Sequence, residues 1–435
     1  MEVGRPLVAA RPHGDVTLLD PADPELLGGA GVSSKTVTAP RATVTELELE
    51  TVAHPSRREQ FREELRWPLL TYGGTRLALL LLAIVCDVVF GPIVPKTSIA
   101  HEIGNWDGYW YIRVATLGYP AAVSHAQTTL GFFPLYSMVM WLVSHVTMLP
   151  YFVSGLVVSL IGGFVATVIV QRLATEWWGP DVARKAVLLF CLFPGSVVFS
   201  MDYSEGLLIP LAAGCMLALS KRRWLLAGVL AGFATAIGPD SFTLIAMCAV
   251  ASLVQLRRYG WRDAEARRSL VAPLLAPAGA VAFALFLKLW TGSFLASFIA
   301  QKDGWNETTT PFAIPATIVD TVRELFAPGN ISNLNLNNIS GILGAAFLLV
   351  GLRWLWRDRF TIPIEVWAFV GTMTVLMCTS AHVPPNPRML ITAFPVVLIF
   401  AKWVRGRAWT RFVWAMGGAL IVMSTLTYVG SVLRP

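Results

Sequence analysis

The chain has 435 residues, of which 55% are hydrophobic and 14% are charged, whereas soluble domains contain about 25% charged residues. This composition excludes an ordinary soluble protein, and its long apolar segments predict a polytopic, all-α membrane protein. The net charge of +7 is divided among small basic clusters between these segments. It therefore does not indicate a nucleic-acid partner, which would bind a single basic stripe. The five cysteines lie in apolar segments without a pairing pattern, so neither a disulfide framework nor a metal site is expected.

Residues 1–65 differ in composition from the rest of the chain. They are rich in Pro, Gly, Thr, Ser and acidic residues and have no sustained apolar period, which is typical of a disordered segment. The basic residues Arg57, Arg58, Arg62 and Arg66 precede the first apolar segment and predict, by the positive-inside rule, that this tail is cytoplasmic. We therefore expect a disordered cytoplasmic tail at 1–65 and a multi-pass membrane domain at 66–435.

The first spanning helix is predicted at about 69–92, and it leaves the cytoplasm into an external loop at 93–130. The next apolar segment, 131–148, is short, and letting it span would place every later basic cluster outside. We therefore expect it to form a juxtamembrane helix that lies on or dips into the outer surface. With this choice the chain has about eleven spans and cytoplasmic basic clusters. Gly238-Pro239-Asp240 is expected to form a turn between two short helices within 224–256.

The external loop after the first span carries the pattern with the most chemical content. Five large aromatic residues between 106 and 119 surround one acid, Asp107. Aromatic rings favour the membrane–water interface, and a partly desolvated carboxylate among them is suited to act as a general base. The alternative is an aromatic belt with an incidental, solvated Asp.

The pattern Trp-Asp-Gly-x-Trp-Tyr-x-x-x-Ala-x-x-Gly-Tyr at 106–119, followed by Phe-Phe-Pro-Leu-Tyr at 132–136, resembles the GT-C class of membrane glycosyltransferases. More narrowly, it resembles the PIG-V-type mannosyltransferases and their bacterial relatives. Two later segments resemble this family more weakly: the stretch from Phe193-Pro194 to Tyr203-Ser204-Glu205, and residues 387–390. The sequence departs from the family at Ser204, where Thr is usual, and at 238–240, where relatives often have an Arg near an Asn-Gly.

The resemblance implies a GT-C-like fold and an inverting transfer of a sugar from a polyprenyl-phosphate donor to a lipid or glycolipid acceptor. Asp107 would be the catalytic base, with the active site on the extracytoplasmic face of the cell membrane. The departing phosphate needs cationic or hydrogen-bonding partners. The external candidates are Arg113, Lys302, His382 and Arg388. For Arg388 the alternative is an interfacial anchor, and for His382 it is a solvated loop residue.

Four further residues near these motifs are expected to bind substrate: Trp106, Tyr109, Tyr203 and Glu205. Glu205 has two alternatives, a divalent cation or the N-terminal cap of the next helix, and Asp202 is interpreted as such a cap. No cofactor is assigned. Mannose is the expected sugar, with arabinose or glucose as the alternative and a lipid or solute transporter as a different class. Transport is disfavoured because the ionisable residues gather at the outer ends of helices rather than at the bilayer midplane.

Overall fold

The computed structural model describes residues 57–90, 103–326, 335–381, 384–430 and 433. Within these ranges the regular structure is helical, and the β-type contact present is an isolated antiparallel bridge between Thr309 and Ser380. The all-α class is therefore confirmed. Most of the expected tail, residues 1–56, and the expected site residue His382 lie outside the described residues.

The described chain before residue 240 contains seven α-helices. They are α1 (Arg57–Phe90), α2 (Asp107–Leu117), α3 (Pro134–Thr147), α4 (Tyr151–Trp178), α5 (Pro180–Leu192), α6 (Glu205–Ser220) and α7 (Trp224–Ala234). Short 3-10 helices at Thr129–Gly131 and Pro194–Ser200 precede α3 and α6. A third, Pro239–Phe242, follows α7.

The described chain after residue 242 contains eleven α-helices, several of them only one or two turns long. They are α8 (Thr243–Tyr259), α9 (Ala264–Arg268), α10 (Val271–Leu275), α11 (Ala278–Thr291), α12 (Ala296–Ile299), α13 (Ala313–Phe326), α14 (Leu336–Arg357), α15 (Ile364–Thr379), α16 (Pro387–Thr392), α17 (Phe394–Trp403) and α18 (Gly406–Gly430). A π-helical turn, Ala300–Gly304, follows α12.

Six segments of the described chain are long and apolar enough to cross a membrane, which confirms the polytopic architecture. They are Glu64–Phe90, Tyr151–Trp178, Pro239–Tyr259, Ala264–Thr291, Leu336–Arg357 and Gly406–Val429. A seventh arises if α5 and the 3-10 helix Pro194–Ser200, which meet at a bend of 70°, are counted as one span. The predicted number of about eleven is reached only if the four shorter apolar helices α6, α7, α15 and α17 also cross.

The first helix begins earlier than the sequence predicts. Residues 57–65, which were expected to belong to a disordered tail, form its first turns. They are held by tertiary contacts, since Glu64 forms an ion pair of 2.7 Å with Arg172 of α4. Just beyond them, the Trp67 indole donates a hydrogen bond to the Arg184 carbonyl. Contacts with distant helices therefore stabilise the early part of this helix.

Two local predictions agree with the structure. The segment 131–148 forms α3, whose 14 residues span about 21 Å at 1.5 Å per residue, too short to cross a hydrocarbon core of about 30 Å. Gly238-Pro239-Asp240 interrupts the helices α7 and α8, where a 3-10 turn begins at Pro239.

The centre of the molecule depends on a close approach between α4 and the start of α6. A Cβ atom on Gly162 would lie 1.8 Å from the Gly206 carbonyl oxygen, and one on Gly206 would lie 2.5 Å from the Ser159 Cα. Small residues allow such backbone contact between helices in membranes. This contact sets the position of the segment that leads into α6. Tyr203 lies in that segment, and Glu205 is the first residue of α6.

We expect Gly162→Ala to destabilise the fold by about 3 kcal/mol, because the added methyl group meets backbone rather than a movable side chain. The matched control is Gly73→Ala on α1, where a Cβ would meet nothing within 4 Å. That control should keep or slightly raise the melting temperature, since Ala is the better helix former. Thermal unfolding of the purified proteins in detergent measures both. Equal melting temperatures for the two variants would contradict the importance of the α4–α6 contact.

Candidate active site

The catalytic candidate Asp107 is the first residue of α2. The preceding Trp106 has a φ of +54°, a conformation that is rare for bulky residues. The turn is held because the Trp106 N–H donates to Asn105 Oδ1 at 2.8 Å and the Gly108 N–H donates to the Asn105 carbonyl at 3.1 Å. The helix therefore starts at Asp107, and an anionic side chain is favoured at this end of the helix dipole.

Arg388 joins Asp107 to a second acid, Glu205. Its Nη1 lies 2.6 Å from Asp107 Oδ2, its Nε donates to Glu205 Oε1, and its guanidinium lies 4.9 Å from the centre of the Tyr203 ring. The side chains of Asp107, Arg388 and Glu205 are 29%, 19% and 1% exposed. Asp107 is thus the member of this trio that solvent or a substrate reaches most easily.

The charge of Arg388 is stabilised by its two partners. Burial by itself would lower the pKa of the guanidinium, but the carboxylates of Asp107 and Glu205 outweigh burial and raise the pKa well above its ordinary value. The Arg388 fork suits this bridging role, since its N–H groups can face two carboxylates at once. Asp240, at the turn after α7, lies close enough to be influenced by all three charges. Arg388 thus bridges two acids in the structure, and its assignment as a substrate residue rather than an interfacial anchor stays a prediction.

The residues that build this site around Asp107 come from both family motifs. The Tyr111 hydroxyl donates to Ser204 Oγ at 2.8 Å, and the Tyr111 carbonyl accepts a bond of 2.9 Å from Ser137 Oγ of α3. The buried Tyr136 packs edge-on against Tyr111 and donates to the Gly155 carbonyl at 3.0 Å. These hydroxyls fasten α2 to α3 and to the residue before α6, and they fasten α3 to α4. Of these residues, Tyr111 and Tyr136 belong to the motifs, but the sequence pattern assigned them no role.

Asp202 does not cap α6 as expected. Neither of its carboxylate oxygens has a hydrogen-bond partner among the described residues, and the residue is fully buried. It packs between two glycines, since a Cβ on Gly155 would lie 2.7 Å from Asp202 Oδ1 and one on Gly108 would lie 3.1 Å from its Cβ. Burial raises the pKa of the carboxyl well above its ordinary value, so the site favours the neutral acid.

The structure separates the other predicted substrate residues from this trio. Arg113 Nη1 donates to the Tyr109 hydroxyl at 2.6 Å, and its guanidinium lies over the rings of Tyr109 and Trp110. Arg113 lines a separate cavity of about 300 Å³. Lys302 is exposed in the π-helical turn. The contacts of Arg388 thus join Asp107, Tyr203 and Glu205, with Trp106 next to Asp107 in the chain. Tyr109, Arg113 and Lys302 are not among these contacts.

Trp305, just after that turn, joins an aromatic cluster beside the site. Its indole lies edge-on to Trp110 and Phe132, at 5.2 and 5.5 Å between ring centres, and Trp110 stacks on Phe132. A Cβ on Gly131 would lie 2.8 Å from the Trp305 ring. The segment after α12 is therefore packed on both family motifs, although its sequence showed no pattern that predicted this.

A large apolar groove of about 1090 Å³ begins on α2. Its lining includes Val114 and Ala115, which follow Asp107 and Tyr111 at helical spacing and share their face of α2. Val114 lies seven positions after Asp107 in the helix, or about 10 Å along the axis. The remaining lining comes from the segment 119–142, from α7 and from the chain around α11. Within the described residues, no three His, Cys, Asp or Glu side chains form a metal-binding cluster.

The buried Asp202 predicts a pH dependence of stability. Because its pKa is raised in the folded state, the native protein holds this proton more tightly than the unfolded chain, so stability falls as pH rises above the ordinary carboxyl pKa. Asp202→Asn should flatten this dependence and raise the melting temperature at pH 8 relative to the unchanged protein. Melting temperatures between pH 5 and 8 measure it. The control is Asp320→Asn, an exposed acid on α13. Identical pH profiles for Asp202→Asn and the unchanged protein would contradict the assignment.

The family model described as Mannosyltransferase (PIG-V) matches residues 94–275. This range is less than half of the chain and contains both motifs, Asp107, Tyr203 and Glu205, whereas Arg388 lies beyond it. No curated protein matches the chain.

Several solved structures are similar at low identity. ArnT from Cupriavidus metallidurans in the apo state has a TM-score of 0.46 and 15% identity, over 78% of this chain and 62% of that one. The same protein bound to undecaprenyl phosphate has 0.44 and 14%, over 77% and 61%. The oligosaccharyltransferase AglB from Archaeoglobus fulgidus, with an inhibitory peptide and a dolichol-phosphate, has 0.41 and 13%, over 82% and 56%.

This chain therefore spans less than two thirds of the length of the solved structures it is similar to. With TM-scores below 0.5, these likenesses carry no argument about its mechanism. The family match covers the part of the chain that carries Asp107, Tyr203 and Glu205. The resemblance to the PIG-V-type mannosyltransferases is thus confirmed over residues 94–275.

Proposed function

We propose that this protein is an inverting membrane glycosyltransferase with a polyprenyl-phosphate sugar as its donor and a lipid or glycolipid hydroxyl as its acceptor. Mannose is the first candidate for the sugar, because the matching family model is that of mannosyltransferases. The observation that carries the proposal is the contact of 2.6 Å between Arg388 and Asp107. It places a cation suited to a phosphate beside the most accessible acid of the site.

The proposed reaction is a single displacement. Asp107 takes the proton of the acceptor hydroxyl as its oxygen attacks the anomeric carbon of the donor. A carbon–oxygen bond to the acceptor forms, the bond from that carbon to the phosphate oxygen breaks, and the electron pair leaves with the phosphate. Attack opposite the leaving group inverts the configuration. One general base is sufficient, in contrast to the paired acids of glycosidases, because phosphate leaves without strong acid assistance.

Arg388 supplies the electrostatic half of this mechanism. Negative charge grows on the leaving phosphate, and a guanidinium held in a fixed orientation stabilises such charge best in a low-dielectric site. Glu205 is almost fully buried and binds the Nε side of the same group, so its role in the proposal is to orient Arg388. The Nη groups are left to face Asp107 and the donor.

The apolar groove supports a lipid-linked donor. It begins on the face of α2 that carries Asp107, about two helical turns away, and its lining is almost entirely apolar. In the proposal the prenyl chain lies in this groove, and its phosphate reaches Arg388, which contacts Asp107 at the start of α2. The positive-inside prediction places this end on the extracytoplasmic side of the cell membrane.

The proposed activity is tested by supplying the purified protein with polyprenyl-phosphate mannose and a lipid extract, and detecting which lipid gains a hexose. Polyprenyl-phosphate arabinose and polyprenyl-phosphate glucose serve as competing donors. Transfer of mannose supports the proposal. Transfer of another sugar would correct the donor, and the absence of transfer from all three would contradict the enzymatic function.

Asp107→Ala should lower kcat by about 10²–10⁴-fold, which is the range that a general base contributes, while the protein still folds because Glu205 keeps the Arg388 guanidinium paired. Asp107→Glu should retain little activity, because the longer side chain displaces the carboxylate from Arg388. Steady-state transfer in reconstituted membranes measures both. The control is Asp320→Ala, which removes an exposed acid whose ion-pair partner, Arg323, lies one turn away on the same helix. Full activity of Asp107→Ala would remove this residue from the mechanism.

Arg388→Lys keeps the positive charge but loses the fork that faces Asp107 and Glu205 together. We expect kcat/KM for the donor to fall about tenfold or more, since a charged hydrogen bond contributes about 1.5–3 kcal/mol. Arg323→Lys, at an exposed arginine of α13, is the matched control. An unchanged kcat/KM for Arg388→Lys would mean that the phosphate is held elsewhere.

A further inference from the structure

Arg76 is a buried cation in the middle of a spanning helix. It lies on α1, within the candidate span Glu64–Phe90, and is only 3% exposed. A charged side chain in a membrane segment is costly and is usually functional or bound by partners. The ion pairs among the described residues do not include Arg76, so its partners are neutral.

These partners lie at the bend between α5 and the 3-10 helix Pro194–Ser200. The Arg76 Nη2 donates to the Cys191 carbonyl at 2.9 Å and to Ser196 Oγ at 3.0 Å. Its Nη1 donates to the Ser196 carbonyl and makes a longer contact of 3.4 Å with Ser200 Oγ. Pro194 has no N–H to continue the hydrogen bonding of α5. Arg76 therefore supplies donors where the helix is broken and water is scarce.

The bend held by Arg76 is in direct contact with the backbone of Arg388. A Cβ on Gly195 would lie 2.0 Å from the Pro387 carbonyl oxygen and 3.1 Å from the Arg388 nitrogen. Gly195 lies between Cys191 and Ser196, the two residues whose carbonyls Arg76 binds. A shift of the bend must therefore move the start of α16, which carries Arg388.

The same bend leads directly to the other partner of Arg388. The 3-10 helix ends at Ser200, and Tyr203 and Glu205 follow within five residues. Both contact the Arg388 guanidinium. The bend thus positions Arg388 through the backbone contact at Pro387. It also positions Glu205, the acid that orients the Arg388 guanidinium.

We propose that Arg76 is a positioning residue for the transfer reaction, and that it acts on Arg388 through the bend at 191–196. It touches none of the reacting groups. Its effect is to keep the Gly195 backbone against Pro387, so that the guanidinium meets both Asp107 and Glu205. The inference rests on the proposed function for its kinetic consequences, but the coupling between Arg76 and Arg388 can be measured without any substrate.

The test is a double-mutant cycle of Arg76→Gln and Arg388→Gln, with purified protein and polyprenyl phosphate as the probe. Arg76→Gln alone should weaken binding of polyprenyl phosphate and lower kcat, each about tenfold. In the Arg388→Gln background the same change should alter binding less than twofold, since residues that act through one another are not additive. Equal effects in both backgrounds would overturn the proposal.

Two controls on α1 separate positioning from stability. Trp67→Phe removes the hydrogen bond to the Arg184 carbonyl and should lower the melting temperature without changing the affinity for polyprenyl phosphate. Arg66→Gln changes an exposed arginine and should change neither. An Arg76→Gln protein that resembled Trp67→Phe, less stable but with normal affinity, would reduce Arg76 to a structural role and contradict the proposal.

If Arg76→Gln does not fold, Arg76→Lys replaces it, because Lys keeps the charge and three donors and should weaken binding severalfold. If the unchanged protein neither binds polyprenyl phosphate nor transfers a sugar, the proposed function fails. The cycle is then read from melting temperatures. A smaller shift for Arg76→Gln in the Arg388→Gln background supports the coupling, and an equal shift refutes it.

Discussion

The site depends on one constraint: a largely buried guanidinium must meet two carboxylates that are distant from it in sequence. An unpaired charge in such surroundings would cost several kcal/mol. The arrangement of Asp107, Arg388 and Glu205 is therefore stable only when the starts of α2, α6 and α16 come together. The ion pairs impose a geometry on the surrounding backbone, and they leave one side of Asp107 accessible, where the acceptor hydroxyl approaches in the proposed reaction.

That geometry is maintained by close backbone contacts and by buried hydroxyl groups. Gly162 and Gly206 let α4 touch the start of α6, and Gly195 lets the bend after α5 touch the Pro387 carbonyl. The Tyr111 hydroxyl bonds to Ser204, next to Glu205. Each contact ties one acid or the cation to a packed helix. The family motifs thus contain both the proposed catalytic acid and groups that hold its helix in place.

Helix α2 joins the trio of Asp107, Arg388 and Glu205 to the apolar groove. Asp107 begins α2, and Val114 and Ala115 on the same face open onto the groove of about 1090 Å³. A donor with a charged head and a long apolar tail fits this division, since the two parts favour different surroundings. Arg76 of α1 is a second buried cation. It stabilises the bend after α5, which leads to Tyr203 and Glu205.

The sequence alone determined the helical membrane class, the turn at 238–240 and the resemblance carried by 106–136, and it made Asp107 the proposed base, because composition, turn chemistry and motif are local properties. Only the tertiary structure decided which cation meets that acid. Arg113, Lys302, His382 and Arg388 were all candidates by sequence, and among the described residues packing brings Arg388 to Asp107. It also decided that Asp202 is buried between Gly108 and Gly155 rather than capping α6, and that Arg76 binds a bend more than a hundred residues away. Such contacts join distant segments through packed helices, and no local pattern of residues encodes them.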